Sequence, residues 1–247
     1  MTTFVLVHGG GHGAWCWDRL APLLRAEGHD VHTPVLQGVG ERFDEVAPDV
    51  GLAVHVGEVA DSIVANDLSG VVLVGHSYGC MVITGVAGEV PDRIAELVFL
   101  DGPHPQDGES LDDVSPGMRE RLEPQLREVD GVPLCLFPNR ETLGVYGIVD
   151  PADEDWAMQH LTPHPWKCFI ERLALSDPDA PNRIPRTSIN CLASGTQDDA
   201  KLVARTRLAD RCFEIDTGHD LMISEPRATA DLLLEVARNP VSKTPKR

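Results

Sequence analysis

VVLVGHSYGCMVITGVAGEV, residues 71–90, is the stretch whose reading decides the fold. Four apolar, mostly β-branched residues run into Gly75-His76-Ser77-Tyr78-Gly79, and residues 80–90 then read as a helix. A strand that passes at once into a helix must do so through a tight turn. Glycines at 75 and 79 suit that turn, because a side chain on either side would crowd the neighbouring backbone. The turn exposes the Ser77 hydroxyl, and the helix that follows aims its free N–H groups at the place where an oxyanion would develop. Ser77 is therefore the candidate nucleophile.

Outward from this stretch, similar apolar runs recur: FVLVHG from Phe4, DVHTPVL from Asp30, IAELVFLDG from Ile94, TSINCLAS from Thr187 and RCFEIDTG from Arg211. Near-continuous runs suit strands buried on both faces. Residues 15–27, 51–67, 78–89 and 225–238 read as helices between them. The alternation predicts an α/β fold, a mostly parallel sheet of about six strands flanked by helices. Residues 101–185 break the rhythm with helix-like stretches at 116–128, 153–160 and 166–176, many prolines and a short strand at 133–137. An interval of roughly 80 residues is a subdomain rather than a loop. The expected organisation is a core of residues 1–103 and 183–239, an inserted lid of residues 104–182, and a frayed basic tail at 240–247.

A second signal is His8-Gly9-Gly10-Gly11 after the first strand. Glycines let this chain pass close to the nucleophile, so that an amide near Gly10 can pair with that of Tyr78 as an oxyanion hole. A phosphate-binding loop is the alternative, but HGGGHGAW has neither G-x-G-x-x-G nor a P-loop lysine. The base must come late, at a strand end, and His219 stands there in TGHDLMISEP. For the acid, Asp198 follows the strand at 187 and could reach the Nδ1 side of His219. Asp199 beside it, and Asp101 at the end of the strand from Ile94, remain open. Trp15, Trp17, Phe137, Tyr146, Trp156 and Trp166 either line an apolar pocket or pack the lid onto the core. Gly11, Trp166 and Leu221 are the expected substrate contacts.

Composition narrows the class. The 247 residues carry 39 Asp and Glu against 21 Lys and Arg, a net charge of −18 that repels phosphate backbones and anionic membrane surfaces. A small-molecule substrate is expected rather than nucleic acid or a membrane, and a homodimer is compatible with the sequence. No apolar run approaches the roughly 20 residues needed to cross a bilayer, and the N-terminus lacks the basic stretch of a secretory signal. The six cysteines are scattered, which fits free thiols in a reducing compartment. The reading is cytoplasmic. His8 and His12 stand four apart, but the glycines around them oppose a helix that would pair them on a metal. No metal or organic cofactor is expected.

FVLVHGGGHGAWCWDRLAPLLRAEGHDVHTPVLQGVGER, GHSYGCMVITGVA, LVFLDGPHPQDGESL, LTPHPWKCF and GHDLMISEP cover nearly the whole chain. Together they resemble the α/β-hydrolase subgroup of plant methylesterases, hydroxynitrile lyases and bacterial esterases. The resemblance implies Ser77, Asp198 and His219 as a triad, Gly10 and Tyr78 as amide donors, and a small lid. It also implies that a lyase would carry threonine at position 9 and lysine at position 220. Here these are Gly9 and Asp220, and an aspartate cannot stabilise departing cyanide. Two departures stand out: the stretch from Asp198 to His219 is short for the subgroup, and Cys80 replaces a more usual glycine. The expected function is a serine hydrolase cleaving a carboxylic ester of a small or medium-sized apolar substrate through an acyl-enzyme. The alternatives are a lactonase or tailoring enzyme on the same triad, a hydroxynitrile lyase, or a receptor that does not catalyse.

Overall fold

The strands of the main sheet form where the apolar runs predict them, and the central ones, Thr3–Val7, Val71–His76 and Ile94–Leu100, are buried on both faces. In the computed structural model, which describes residues 1–195 and 200–241, the strands are β1 (Thr3–Val7), β2 (Asp30–His32), β3 (Val71–His76), β4 (Ile94–Leu100), β5 (Arg127–Val129), β6 (Val132–Cys135), β7 (His164–Pro165), β8 (Arg186–Cys191) and β9 (Arg211–Ile215). Six of them form one parallel sheet in the order β2-β1-β3-β4-β8-β9. Side chains alternate across it with the two-residue period of a strand. Val5, Val7, Leu73, Leu97 and Phe99 join a cluster that includes Val59, Ile63, Met81 and Ile83 of the helices Leu52–Ala65 and Gly79–Glu89. Phe4, Leu6, Val72, Val74, Val98 and Leu100 join the opposite cluster with Leu20, Leu24, Leu233 and Leu234. Fully burying one such Val or Leu side chain contributes about 1.5–3 kcal/mol.

Register then sets where the chemistry sits. Val7 lies beside Gly75, and His76 beside Leu100, so β1, β3 and β4 end at one edge of the sheet. The next residues of these strands are His8, Ser77 and Asp101. β8 and β9 end together at Cys191 and Ile215, four residues before His219. Loops at the carboxyl edge of a parallel sheet are where open α/β folds gather their functional groups.

Several boundaries differ from expectation, each for a local reason. The helix expected at 15–27 is broken into a 3₁₀ turn, Ala14–Trp17, and a helix, Ala21–Ala26. Pro22 has no N–H to give and fits only the first turn of a helix, so a continuous one cannot pass through it. The strand from Asp30 stops at His32, ahead of Pro34, on the sheet edge. In the interval expected to be a lid, residues 116–128 do not form one helix. Gly117 takes φ +76°, the helix is only Met118–Leu122, and Arg127–Val129 turns into β6 through Asp130 and Gly131, both at positive φ. An Asp-Gly pair between two strands is the hairpin signal that the helical reading passed over. The stretch read as helix at 166–176 is helical only over Lys167–Ile170. The tail at 242–247 lies outside the described residues.

The turn at residues 75–79 is as tight as its glycines imply. A Cβ at Gly79 would sit 2.5 Å from the Val7 carbonyl oxygen and 2.8 Å from that of His8. These are backbone atoms that cannot swing aside, so Gly79→Ala is expected to destabilise the fold by about 1–3 kcal/mol or more. Chemical denaturation of the variant beside the parent checks this, and an unchanged midpoint would contradict it.

Candidate active site

Ser77 leaves β3 at φ +53°, the left-handed region that an L-residue enters at a cost on the order of 1–3 kcal/mol. The surroundings enforce it. Its N–H donates to the Leu100 carbonyl at 3.1 Å, and its carbonyl accepts from the Cys80 N–H at 3.0 Å. Cys80 does not crowd the turn. Its thiol, fully buried, donates to the Gly75 carbonyl at 3.1 Å, in space left open by Gly102, where a Cβ would lie 2.4 Å from the sulfur.

His219 follows β9 and is 15% exposed, whereas the Asp101 carboxylate next to it is 1% exposed. Its Nδ1 lies 2.6 Å from Asp101 Oδ2. The other carboxylate oxygen, Oδ1, accepts from the Cys191 N–H at 3.0 Å, while the Asp101 N–H donates to Ile189 O at 2.9 Å. Asp101 thus bridges the ends of β4 and β8 and holds the ring from behind. Burial pulls the His219 imidazole down, but the Asp101 hydrogen bond and charge, with the charge of Asp220, outweigh it and leave its pKa raised. Burial likewise opposes ionisation of Asp101, and the His219 bond, its charge and the Cys191 amide overcome it, so that carboxyl is held low. The His76 Nε2 donates to the His219 carbonyl at 3.0 Å, which fixes the backbone of the histidine as well as its ring.

Of the acids weighed from sequence, Asp198 and Asp199 lie outside the described residues. Asp101 is the carboxylate that reaches His219 Nδ1. The sequence signal was present in Asp101-Gly102 at a strand end beside the nucleophile. Gly102 is required there, since a Cβ would also meet the Ser77 carbonyl oxygen at 2.8 Å.

Ser77, His219 and Asp101 line one cavity of about 270 Å³, together with Gly10, Tyr78 and His12. No hydrogen bond joins Ser77 to His219 among the described residues, and such contacts often tighten only when substrate is bound. Among the loop hydrogen bonds of the described residues, none uses the amide of Gly10 or of Tyr78. The remaining wall is mainly apolar, with Leu111, Met118, Leu122, Leu136, Tyr146 and Phe169 from residues 104–182. Arg121 adds a cation there.

The three expected substrate contacts do not line this cavity. The Gly11 N–H donates to His164 Nδ1 at 3.1 Å instead of facing the cavity. Trp166 is 6% exposed and packs edge-on to Phe169, so the smaller ring of Phe169 forms the wall and the indole fills the core behind it. Leu221 begins the short helix Leu221–Ser224 and is buried in the cluster of Trp17 and Leu20. Helix periodicity could not tell a core leucine from a pocket leucine there. Of the aromatics, Tyr146 lines the cavity and stacks near the His219 ring at 6.2 Å, whereas Trp15 packs edge-on to Trp156.

Two groups among the described residues bring metal-ligating atoms together: His55, His164 and Cys168, and His76, His219 and Asp220. In each, most donors are already engaged. His55 meets the Tyr78 hydroxyl and the Gln37 carbonyl, both at 2.9 Å. In the second group His219 holds Asp101, His76 holds the His219 carbonyl, and Asp220 pairs with His12 at 2.9 Å. The ring nitrogens of His8 and His12 are engaged as well, those of His8 by the Gly9 carbonyl and the Leu36 N–H, those of His12 by the Gly10 carbonyl and Asp220.

A model of the Alpha/beta hydrolase family matches residues 4–232. The chain is 30% identical to Methylesterase 1 of Arabidopsis thaliana over 95% of each chain. It is 49% identical to a carbendazim hydrolyzing esterase of a Nocardioides species over 111 residues, and so spans less than half of that relative, 46% of its length and 45% of this chain. Among solved structures, it is similar to an extracellular alpha/beta-hydrolase from a Paenibacillus species described as sharing structural and functional homology with tobacco salicylic acid binding protein 2. The TM-score is 0.84 at 29% identity, covering 97% of this chain and 100% of the other.

Proposed function

Because the chain belongs to the α/β-hydrolase family, we propose that it is a serine esterase acting on a small or medium-sized, largely apolar carboxylic ester. Ser77 Oγ attacks the ester carbonyl while His219 accepts the hydroxyl proton. Asp101, in place of the Asp198 expected from sequence, holds the ring tautomer and stabilises the imidazolium that forms. The amides of Gly10 and Tyr78 receive the oxyanion. His219 then returns the proton to the departing alkoxide, and water repeats the cycle to release the acid. Residues 104–182 act as the lid, supplying most of the apolar wall that holds the substrate and excludes water.

The observation that carries this reading is a strained, half-buried serine sharing one cavity with a histidine whose far nitrogen is bound to a buried carboxylate. The relatives named methylesterase and carbendazim hydrolyzing esterase support ester cleavage as the reaction. Position 220 supports hydrolysis over cyanohydrin cleavage, since the residue after His219 is a carboxylate buried against His12 and supplies no cation. We place the protein in the cytoplasm on its six free cysteines, five of them buried. No helix among the described residues is long and apolar enough to cross a membrane.

Brief exposure to p-nitrophenyl acetate followed by mass spectrometry of peptides tests the proposal. An acetyl adduct on the peptide containing Ser77, formed at the rate of the p-nitrophenol burst, is expected. Turnover with no adduct on Ser77 under rapid quench would overturn the acyl-enzyme.

A further inference from the structure

Gly9, Gly10 and Gly11 form the most flexible backbone a protein can offer, yet an oxyanion hole works only when its donors are fixed before the reaction. Something must hold this loop, and three buried histidines surround it. The Gly9 carbonyl accepts from His8 Nδ1 at 3.0 Å, and His8 Nε2 in turn accepts from the Leu36 N–H at 3.2 Å. Gly10 and Gly11 share a peptide unit that is held on both sides. Its carbonyl lies 2.8 Å from His12 Nδ1, and its N–H donates to His164 Nδ1 at 3.1 Å. The three rings are at most 1% exposed.

His12 differs from the other two in its proton count. Nδ1 faces a carbonyl and Nε2 faces Asp220 Oδ2 at 2.9 Å, and both of these partners are acceptors. Two such contacts require two protons on the pair. Burial opposes ionisation of Asp220, but the charge and hydrogen bond of His12, with the charges of His76 and His219, hold its carboxyl low. Both contacts are satisfied with the shared proton on either partner, and the His12 ring stacks on Trp15 at 5.3 Å. Asp220 is covalently next to His219, so one buried hydrogen bond ties the oxyanion loop to the catalytic base.

We propose that His12 and Asp220, with His8 and His164, are positioning residues forming a clamp that fixes the Gly9–Gly11 peptides so that the Gly10 N–H points at the developing oxyanion. The proposal rests on the esterase reading. None of the four residues touches the reacting atoms in this role. Their effect is to keep the donor in place as the carbonyl oxygen gains charge, so it is exerted on the transition state more than on bound substrate.

The test compares Asp220→Ala, Asp220→Asn and the double variant His12→Phe/Asp220→Leu with the parent and with Ser77→Ala. Asp220→Ala leaves the buried His12 Nε2 without its partner and risks unfolding; the double variant replaces both partners with apolar groups and avoids this. Using p-nitrophenyl acetate, kcat in the double variant and in folded Asp220→Ala is expected to fall about 10- to 100-fold with KM within about twofold. Asp220→Asn can donate its amide to a neutral His12 and leave Nδ1–H on the Gly10 carbonyl, so it is expected to recover most of that loss. Hydrogen exchange gives a reading that needs no turnover: amide protection in the peptide containing residues 9–12 should drop at least tenfold in the double variant. A folded double variant with parental protection of these amides overturns the clamp, whatever its activity. Lost protection with parental kcat overturns its role in catalysis. A parent that forms no adduct and turns over no ester sinks the esterase reading alone, and the exchange data still decide the clamp.

Discussion

Replacing Ser77 with alanine is expected to lower kcat for a p-nitrophenyl ester by roughly 10⁴- to 10⁶-fold, since no other group can form the acyl-enzyme. The residual rate would come from the oxyanion donors and the cavity alone. Folding should survive. The Ser77 hydroxyl makes no hydrogen bond to any described residue, so its loss strands no buried partner, and alanine carries the same backbone strain as serine at φ +53°. Circular dichroism and thermal unfolding beside steady-state kinetics separate the two effects. A folded variant with parental turnover would remove Ser77 from the mechanism.

Asp101→Asn is expected to be nearly as damaging, with kcat lower by about 10³- to 10⁴-fold, because an amide can present either a donor or an acceptor to Nδ1 and no longer enforces the productive tautomer. The same change in Asp198 should leave kcat within a few-fold of the parent. The pH profile provides an independent sign. His219 must be neutral to accept the serine proton, so kcat/KM of the parent should rise with pH through a pKa above the ordinary histidine value of about 6.5. Removing the Asp101 charge takes away the largest contribution that raises it, and burial, which lowers it, then dominates. The shoulder should therefore move to lower pH in Asp101→Asn even as the plateau falls. A large loss in Asp198→Asn with an unmoved profile in Asp101→Asn would return the role to Asp198.

These two residues were unequally legible. Ser77 is announced by its own neighbours: strand residues before it, helix residues after it, and glycines at 75 and 79 that only a turn this tight requires. Every contact that shapes its backbone comes from within the motif or from the two adjoining strands, so local sequence suffices. Asp101 is 118 positions from its histidine, and nothing nearby in sequence says which carboxylate will face Nδ1. That depends on the parallel register that sets His76 beside Leu100 and on the Cys191 amide of a third strand. Asp220 was read as a missing lysine, and its actual partner, His12, is 208 positions away.

The pattern holds across the chain. Periodicity, strand composition and local motifs pointed to the α/β architecture, a mostly parallel sheet of about six strands, and Ser77, His219 and the glycine loop as candidate site residues, because each is set by short-range sterics or by an apolar run with an unambiguous period. Tertiary structure decided which acid holds His219, which aromatic forms the wall, with Phe169 in front and Trp166 behind, and how a flexible glycine loop is made rigid. Those outcomes turn on the direction of a side chain and the distance between elements far apart in sequence, and the same residue types would satisfy the local pattern whichever way they pointed.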